Sequence, residues 1–141
     1  MNKNIIVLTL AFIVSLSVNS QSLIIPDAVT AAFKSKFPIA TNIKWGKENA
    51  TEYEAEFKLN NSAVSANFKT DGRWVETETT IPVTDLPAAV SIAINTKYPG
   101  AVINKTEKTE MPGNKIIYEA AITINGKKKG VELKPDGSFI K

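Results

Sequence analysis

One stretch, Tyr53-Glu-Ala-Glu-Phe-Lys-Leu59, alternates apolar and polar side chains without a break. Tyr53, Ala55, Phe57 and Leu59 fall on one side, and Glu54, Glu56 and Lys58 on the other. A period of two marks a β-strand with one dry and one wet face. The stretch returns as Tyr118-Glu-Ala-Ala-Ile-Thr-Ile124. A chain that writes its central strand twice is constrained to a fold with two matching halves, and the surroundings of both copies repeat as well.

Pro26 to Pro38 opens the first copy, with Val29, Ala32, Phe33 and Phe37 on one face of a helix. Pro26 is tolerated in a first turn, Asp27 suits the positive end of the helix dipole, and Pro38 stops the helix. Pro87 to Pro99 repeats the pattern at an offset of 61, matching Val29 with Val90, Phe33 with Ile94 and Phe37 with Tyr98. Thr84-Asp85 supplies a candidate N-cap for this second helix. Strands are expected over 42–46, 52–59, 64–70 and 73–81, and again over 101–110, 115–124, 128–135 and 138–141. Asn60-Asn61, Asp71-Gly72, Asn125-Gly126 and Asp136-Gly137 are the turns between them. Tyr53 to Tyr118 is an offset of 65, so the second copy carries four more residues, placed at Met111-Pro-Gly-Asn114.

Short hairpins force antiparallel pairing. Each helix has one apolar stripe and each sheet face one apolar row, so the two bury each other. The expected fold is α+β: two tandem helix-plus-four-strand repeats, residues 26–81 and 87–141. The connector over 80–84 is too short and apolar for a flexible linker, and neither half has a generous core alone. Residues 21–141 therefore read as one domain.

The first twenty residues stand apart. Lys3, the apolar run Ile5 to Val14 and then Val18-Asn-Ser20 form the three-part pattern of a secretory signal, with cleavage expected before Gln21. The apolar run is short for a membrane span. The expected location is periplasmic or secreted, with no membrane association after cleavage. No cysteine is present, so neither a lipidated cysteine nor a disulfide contributes.

The chain has no histidine either, which removes Ser-His-Asp and Cys-His nucleophilic sites and ordinary zinc sites. No phosphate-cradling glycine motif occurs. Glu54 and Glu56 lie about 7 Å apart along one strand face, a spacing that would suit paired carboxylates, but they alternate away from the core and read as a solvated face. Asp71-Gly72 and Asp136-Gly137 lack the further oxygen ligands of calcium loops. The net charge is +3, and its one basic run, Lys127 to Lys129, sits between Gly126 and Gly130 as a hairpin turn, not a nucleic-acid patch. No enzyme activity, cofactor, metal or nucleic-acid partner is expected.

The ordered set Ala28-Val29, Phe37-Pro38, Ile43-Lys-Trp45, Tyr53-Glu-Ala-Glu-Phe57 and Asp71-Gly-Arg-Trp74 is echoed by Ala89-Val90, Tyr98-Pro-Gly-Ala101, Tyr118-Glu-Ala120 and Asp136-Gly-Ser-Phe139. This doubled pattern resembles the PepSY-like, β-lactamase-inhibitor-protein-like family of small exported bacterial proteins. The resemblance implies helices layered on one face of a curved antiparallel sheet whose other face is open. It also implies a binding role, in which the name suggests modulation of a peptidase. Inhibition of a β-lactamase is not carried over, because the wet face here is charged and poor in aromatic anchors. The expected function is a non-enzymatic exported module that takes a protein or peptide partner on the open face. The candidate residues are Glu54, Glu56, Lys58, Asn67, Lys69, Trp74, Glu119 and Glu132. Trp45 reads as core. Trp74, with Phe139 as its counterpart, reads as packing or, if exposed, as an anchor. The alternatives are a structural envelope protein, or a small-ligand carrier with a cavity between helices and sheet.

Overall fold

The computed structural model describes residues 23–140. The expected signal segment and its cleavage position lie outside the described residues. Helix α1 (Asp27–Lys36) precedes strands β1 (Thr41–Asn49), β2 (Glu52–Leu59), β3 (Ser62–Lys69) and β4 (Trp74–Ile81). A 3-10 turn, Val83–Asp85, leads to α2 (Ala88–Lys97), followed by β5 (Val102–Met111), β6 (Lys115–Ile124) and β7 (Lys127–Leu133). The seven strands form one antiparallel sheet in chain order, β1 to β7. None of the described helices is long and apolar enough to cross a membrane.

Asn60 and Asn61 both take positive φ, 49° and 68°, the geometry that lets a two-residue hairpin follow strand twist. Both helices stop as their sequences dictate. Phe37 and Tyr98 leave the helical region ahead of Pro38 and Pro99, and their N–H groups still reach Phe33 and Ile94 carbonyls at 2.8 Å.

Two expectations are corrected. Thr84-Asp85 does not cap α2. These residues lie in the 3-10 turn, buried Leu86 follows, and the N-cap is Pro87 with no side-chain bond. The strand expected over 138–141 is, over its described residues 138–140, a single bridge, Leu133 to Phe139. Its counterpart β4 is held by ladders on both sides, from β3 and β5. Residues 138–140 have a partner on one side only, with Ile140 N–H bonded to the Glu132 carbonyl.

The helices cover one face of the sheet over two separate clusters. Val29 and Phe33 of α1 meet Tyr53, Ala55, Phe57, Val64, Ala66 and Phe68. The Phe33 ring centroid lies 5.0 Å from that of Phe57 and 5.2 Å from that of Trp45, both edge-on. Val90 and Ile94 of α2 meet Ala120, Ile122, Val131 and Leu133. Each large side chain buried this way contributes about 1.5–3 kcal/mol. Between the clusters, on the same face, the β4–β5 seam carries polar pairs: Thr77 opposite Glu110 and Thr79 opposite Lys108. The sheet is continuous there, but the apolar core is not.

Candidate functional site

The face of the sheet away from the helices is uncovered by any other described element. Pairing sets its rows. Glu54 of β2 stands beside Asn67 of β3, and Asn67 beside Glu76 of β4. In the next row Lys44, Glu56, Ser65, Glu78, Thr109 and Ile117 run across β1 to β6. In a third, Thr80, Glu107, Glu119 and Glu132 run across β4 to β7. Residues directly opposite on one face have Cβ atoms about 4.5–5.5 Å apart, so Glu107, Glu119 and Glu132 are close neighbours, while Glu54 and Glu76, and Glu56 and Glu78, stand one strand further apart. Glu54, Glu56, Glu76, Glu78, Glu107 and Glu119 line a trough of about 1620 Å³.

The centre of this face is half-buried, and burial sets its electrostatics. Burial first, then the charges of Glu76, Glu107 and Glu54, pushes the Glu78 carboxyl up to about 7, against a slight opposing pull from Lys105. Burial, then Glu78, Glu132, Glu107 and Glu76, does the same to Glu119, also to about 7. Burial likewise raises Glu54, with Glu48 and Glu56 adding to it, and raises Glu76, with Glu52 adding to it. Glu52 goes the other way. Its bond to the Lys69 ammonium outweighs burial and holds it below the usual range. Glu107 pairs with Lys105 at 2.8 Å.

Of the candidate residues, Glu54, Glu56, Lys58, Asn67, Lys69, Glu119 and Glu132 lie on this face. Trp74 does not. A β-bulge between Asn67 and Phe68 leaves Trp74 opposite the core residue Phe68, on the helix side. There the Lys36 ammonium of α1 sits 3.6 Å from its ring centroid, and its Nε1 donates to Thr77 Oγ1 at 2.9 Å. Glu54 is also not the freely solvated charge expected, because it is half-buried on this face and burial raises its carboxyl.

Glu76, Glu78 and Glu107, at the middle of the trough, were not legible in the sequence. Both β4 and β5 are polar on both faces, so no dry row identifies the wet one. The bulge then shifts the phase of β4, and β4 pairs with a strand that follows it only after α2. The signal available was the alternation Glu76-Thr-Glu78, which lacks an apolar register to orient it.

Chemically the floor offers half-buried carboxylates that accept hydrogen bonds, attract cations and exchange protons near neutrality. Among the described residues no group of three His, Cys, Asp or Glu side chains is placed to hold a metal ion.

A two-helix layer on one face of an antiparallel sheet, with the other face open, defines a class of small α+β proteins. Residues 16–64 and 51–141 match the profile of the family described as β-lactamase-inhibitor-like, PepSY-like, and the chain belongs to that family. No curated protein matches it. Among solved structures it is similar to a protein from Bacteroides eggerthii described as periplasmic, with a TM-score of 0.78 and 24% identity over 84% of this chain and 88% of that one. A DUF2874 family protein from Bacteroides uniformis gives 0.76 and 23%, covering 82% and 86%. A BLIP-like protein from Bacteroides fragilis gives 0.74 and 24%, covering 85% and 86%. At these identities the likeness is one of fold.

Proposed function

We propose that the protein is an exported, non-enzymatic binding module whose open sheet face takes a protein or peptide partner in the bacterial envelope. The observation that carries this reading is the trough. A void of about 1620 Å³ exceeds the roughly 300–1,000 Å³ typical of small-molecule pockets, and suits a loop or helix of another chain. The helix side is already filled by the two apolar clusters, which speaks against a carrier cavity beneath the helices. Export rests on the signal-like N-terminus and on the periplasmic description of a fold neighbour. Modulation of a peptidase is the finer form of the reading and rests on the family name alone.

We also infer that the chain is two copies of one unit forming one domain. Two matching contacts support it. A Cβ on Gly72 would lie 2.6 Å from the Ala28 carbonyl oxygen, and one on Gly137 would lie 2.5 Å from that of Ala89. Lys36 covers Trp74 at 3.6 Å, and Lys97 covers Phe139 at 3.9 Å.

Site-specific photo-crosslinking tests the binding reading. A crosslinker at Ser65, in the trough, should capture a partner in envelope extract, and one at Asn95, on the exposed side of α2, should not. Equal capture from both positions, or capture from Asn95 alone, rules out the open face as the working surface.

A further inference from the structure

Three features converge at the centre of the open face. The first is uncompensated charge. Among the described residues, Glu54, Glu76, Glu78, Glu119 and Glu132 have no lysine or arginine nitrogen within 4.0 Å. Like charges set together on one face of a sheet oppose folding, so their grouping answers to something other than stability.

The second is an unmet polar floor. Thr109 stands between Glu78 and Ile117 on the trough side of β5, is 0% exposed, and its Oγ1 has no hydrogen-bond partner. Asn67 Nδ2 donates to Glu76 Oε1 at 3.3 Å, while its buried Oδ1 has no partner. Buried polar atoms are nearly always paired, and an unpaired one carries a desolvation cost.

The third is how charge is distributed. The lysines lining the trough, Lys44, Lys58, Lys105, Lys115 and Lys128, are all exposed, whereas the central glutamates are half-buried. An isolated polycation would meet those lysines on its way in. A polypeptide that projects one cation among neutral or acidic neighbours would match both zones.

We propose that the centre of the trough is a socket for one arginine or lysine side chain of the partner protein, gripped by Glu78 and Glu119. The inference rests on the reading of the open face as a protein-binding surface. Asn67 Oδ1 adds an acceptor beside the socket. The buried Thr109 hydroxyl, on the strand position directly opposite Glu78, gains a partner when that carboxylate turns to meet the cation. An arginine fits the acceptors most fully, because its planar head carries five donors.

The socket is also pH-dependent. Glu78 faces Glu56 and Glu54 across β3, Glu76 on its own strand, and Glu107 and Lys105 on β5. Glu119 faces Glu107 on β5, Glu132 on β7, and Glu78 and Glu76 on β4. With both carboxyls at about 7, the socket loses negative charge on acidification, and a bound cation would expel the protons.

The probe is a capped Glu-Arg-Glu peptide, with Glu-citrulline-Glu as its neutral isostere and spermine as a free polycation, each titrated while amide resonances are followed. The arginine peptide should shift Glu78, Thr109 and Glu119. The citrulline peptide should bind about tenfold more weakly, the loss of roughly one charge-assisted hydrogen bond. Affinity for the arginine peptide should fall about tenfold from about pH 8 to about pH 5.5, as the carboxyls protonate. The E78Q/E119Q variant, checked for folding by circular dichroism, should show the same loss at pH 8. Equal binding of the citrulline peptide, equal binding by the variant, tighter binding of spermine, or no saturable shift would each overturn the socket. The reading of the face is judged separately. A partner segment crosslinked at Ser65 that contains no lysine or arginine refutes the socket and leaves the reading standing.

Discussion

Glu78 and Glu119 stand on the face that strand alternation turns away from the core, yet burial at its centre desolvates them. That desolvation has a consequence for stability with a definite sign. Each carboxyl is near 4.5 unperturbed and about 7 when folded. The folded chain therefore binds more protons than the unfolded one between those values, and their contribution is fully present below about 4.5 and lost as pH rises through 7. Glu52, Asp71 and Asp136 are lowered instead, and their contribution fades only below their ordinary range. Thermal unfolding should thus show a higher Tm near pH 5 than near pH 7.5. Glu78→Gln and Glu119→Gln should each stabilise on the order of 1 kcal/mol at pH 7.5, after discounting for solvent screening, and change little at pH 5. A flat Tm across this window would show that the two groups titrate normally. Phe57, by contrast, lies in the core where strand alternation puts it. It is 4% exposed, with its ring centroid 4.8 Å from that of Phe37 and 5.0 Å from that of Phe33. Phe57→Ala should cost about 3–5 kcal/mol in denaturant unfolding, and a loss under about 1 kcal/mol would contradict the packing.

At the level of elements, each helix is fastened to its Asp-Gly hairpin at both ends. Gly72 and Gly137 let the turn approach the first helical turn of α1 and α2, at φ values of 85° and 84°. An alanine at either position meets a carbonyl oxygen and a positive φ together, so Gly137→Ala should destabilise by more than about 1 kcal/mol. Lys36 and Lys97 close the other end over Trp74 and Phe139. Lys36→Met and Lys97→Met should each cost about 0.5–1 kcal/mol, and by similar amounts in both halves. If one matters and the other does not, the two hairpins are not equivalent devices. These clasps explain why Trp74 was ambiguous in the sequence. Its face depends on a bulge between β3 and β4, and a bulge has no compositional mark in Asp71-Gly-Arg-Trp74.

For the whole molecule, the two apolar clusters meet across the β4–β5 ladder, with its polar seam of Thr77, Thr79, Lys108 and Glu110, and through the connector that carries Leu86. Residues 26–81 should superpose on 87–141. A fragment ending at Ile81 exposes β4 as an open edge and keeps only one cluster. It should lack the cooperative thermal transition of the full chain, and a sharp transition would show that the halves are independent domains. The periodicity of two in Tyr53 to Leu59, the 3.6-residue stripe of Val29 and Phe33, and the Asx and Gly turns were all legible because each is a local rule of backbone geometry. They determined the helices, the hairpins and the dry face. The tertiary structure alone decided the site. Only the pairing of β4 with β5, residues separated by α2, sets Glu78 beside Glu107 and near Glu119. Only their burial in the assembled sheet removes water from them. Proximity between distant segments and the loss of solvent are properties of the folded surface, so no local pattern in the chain carries them.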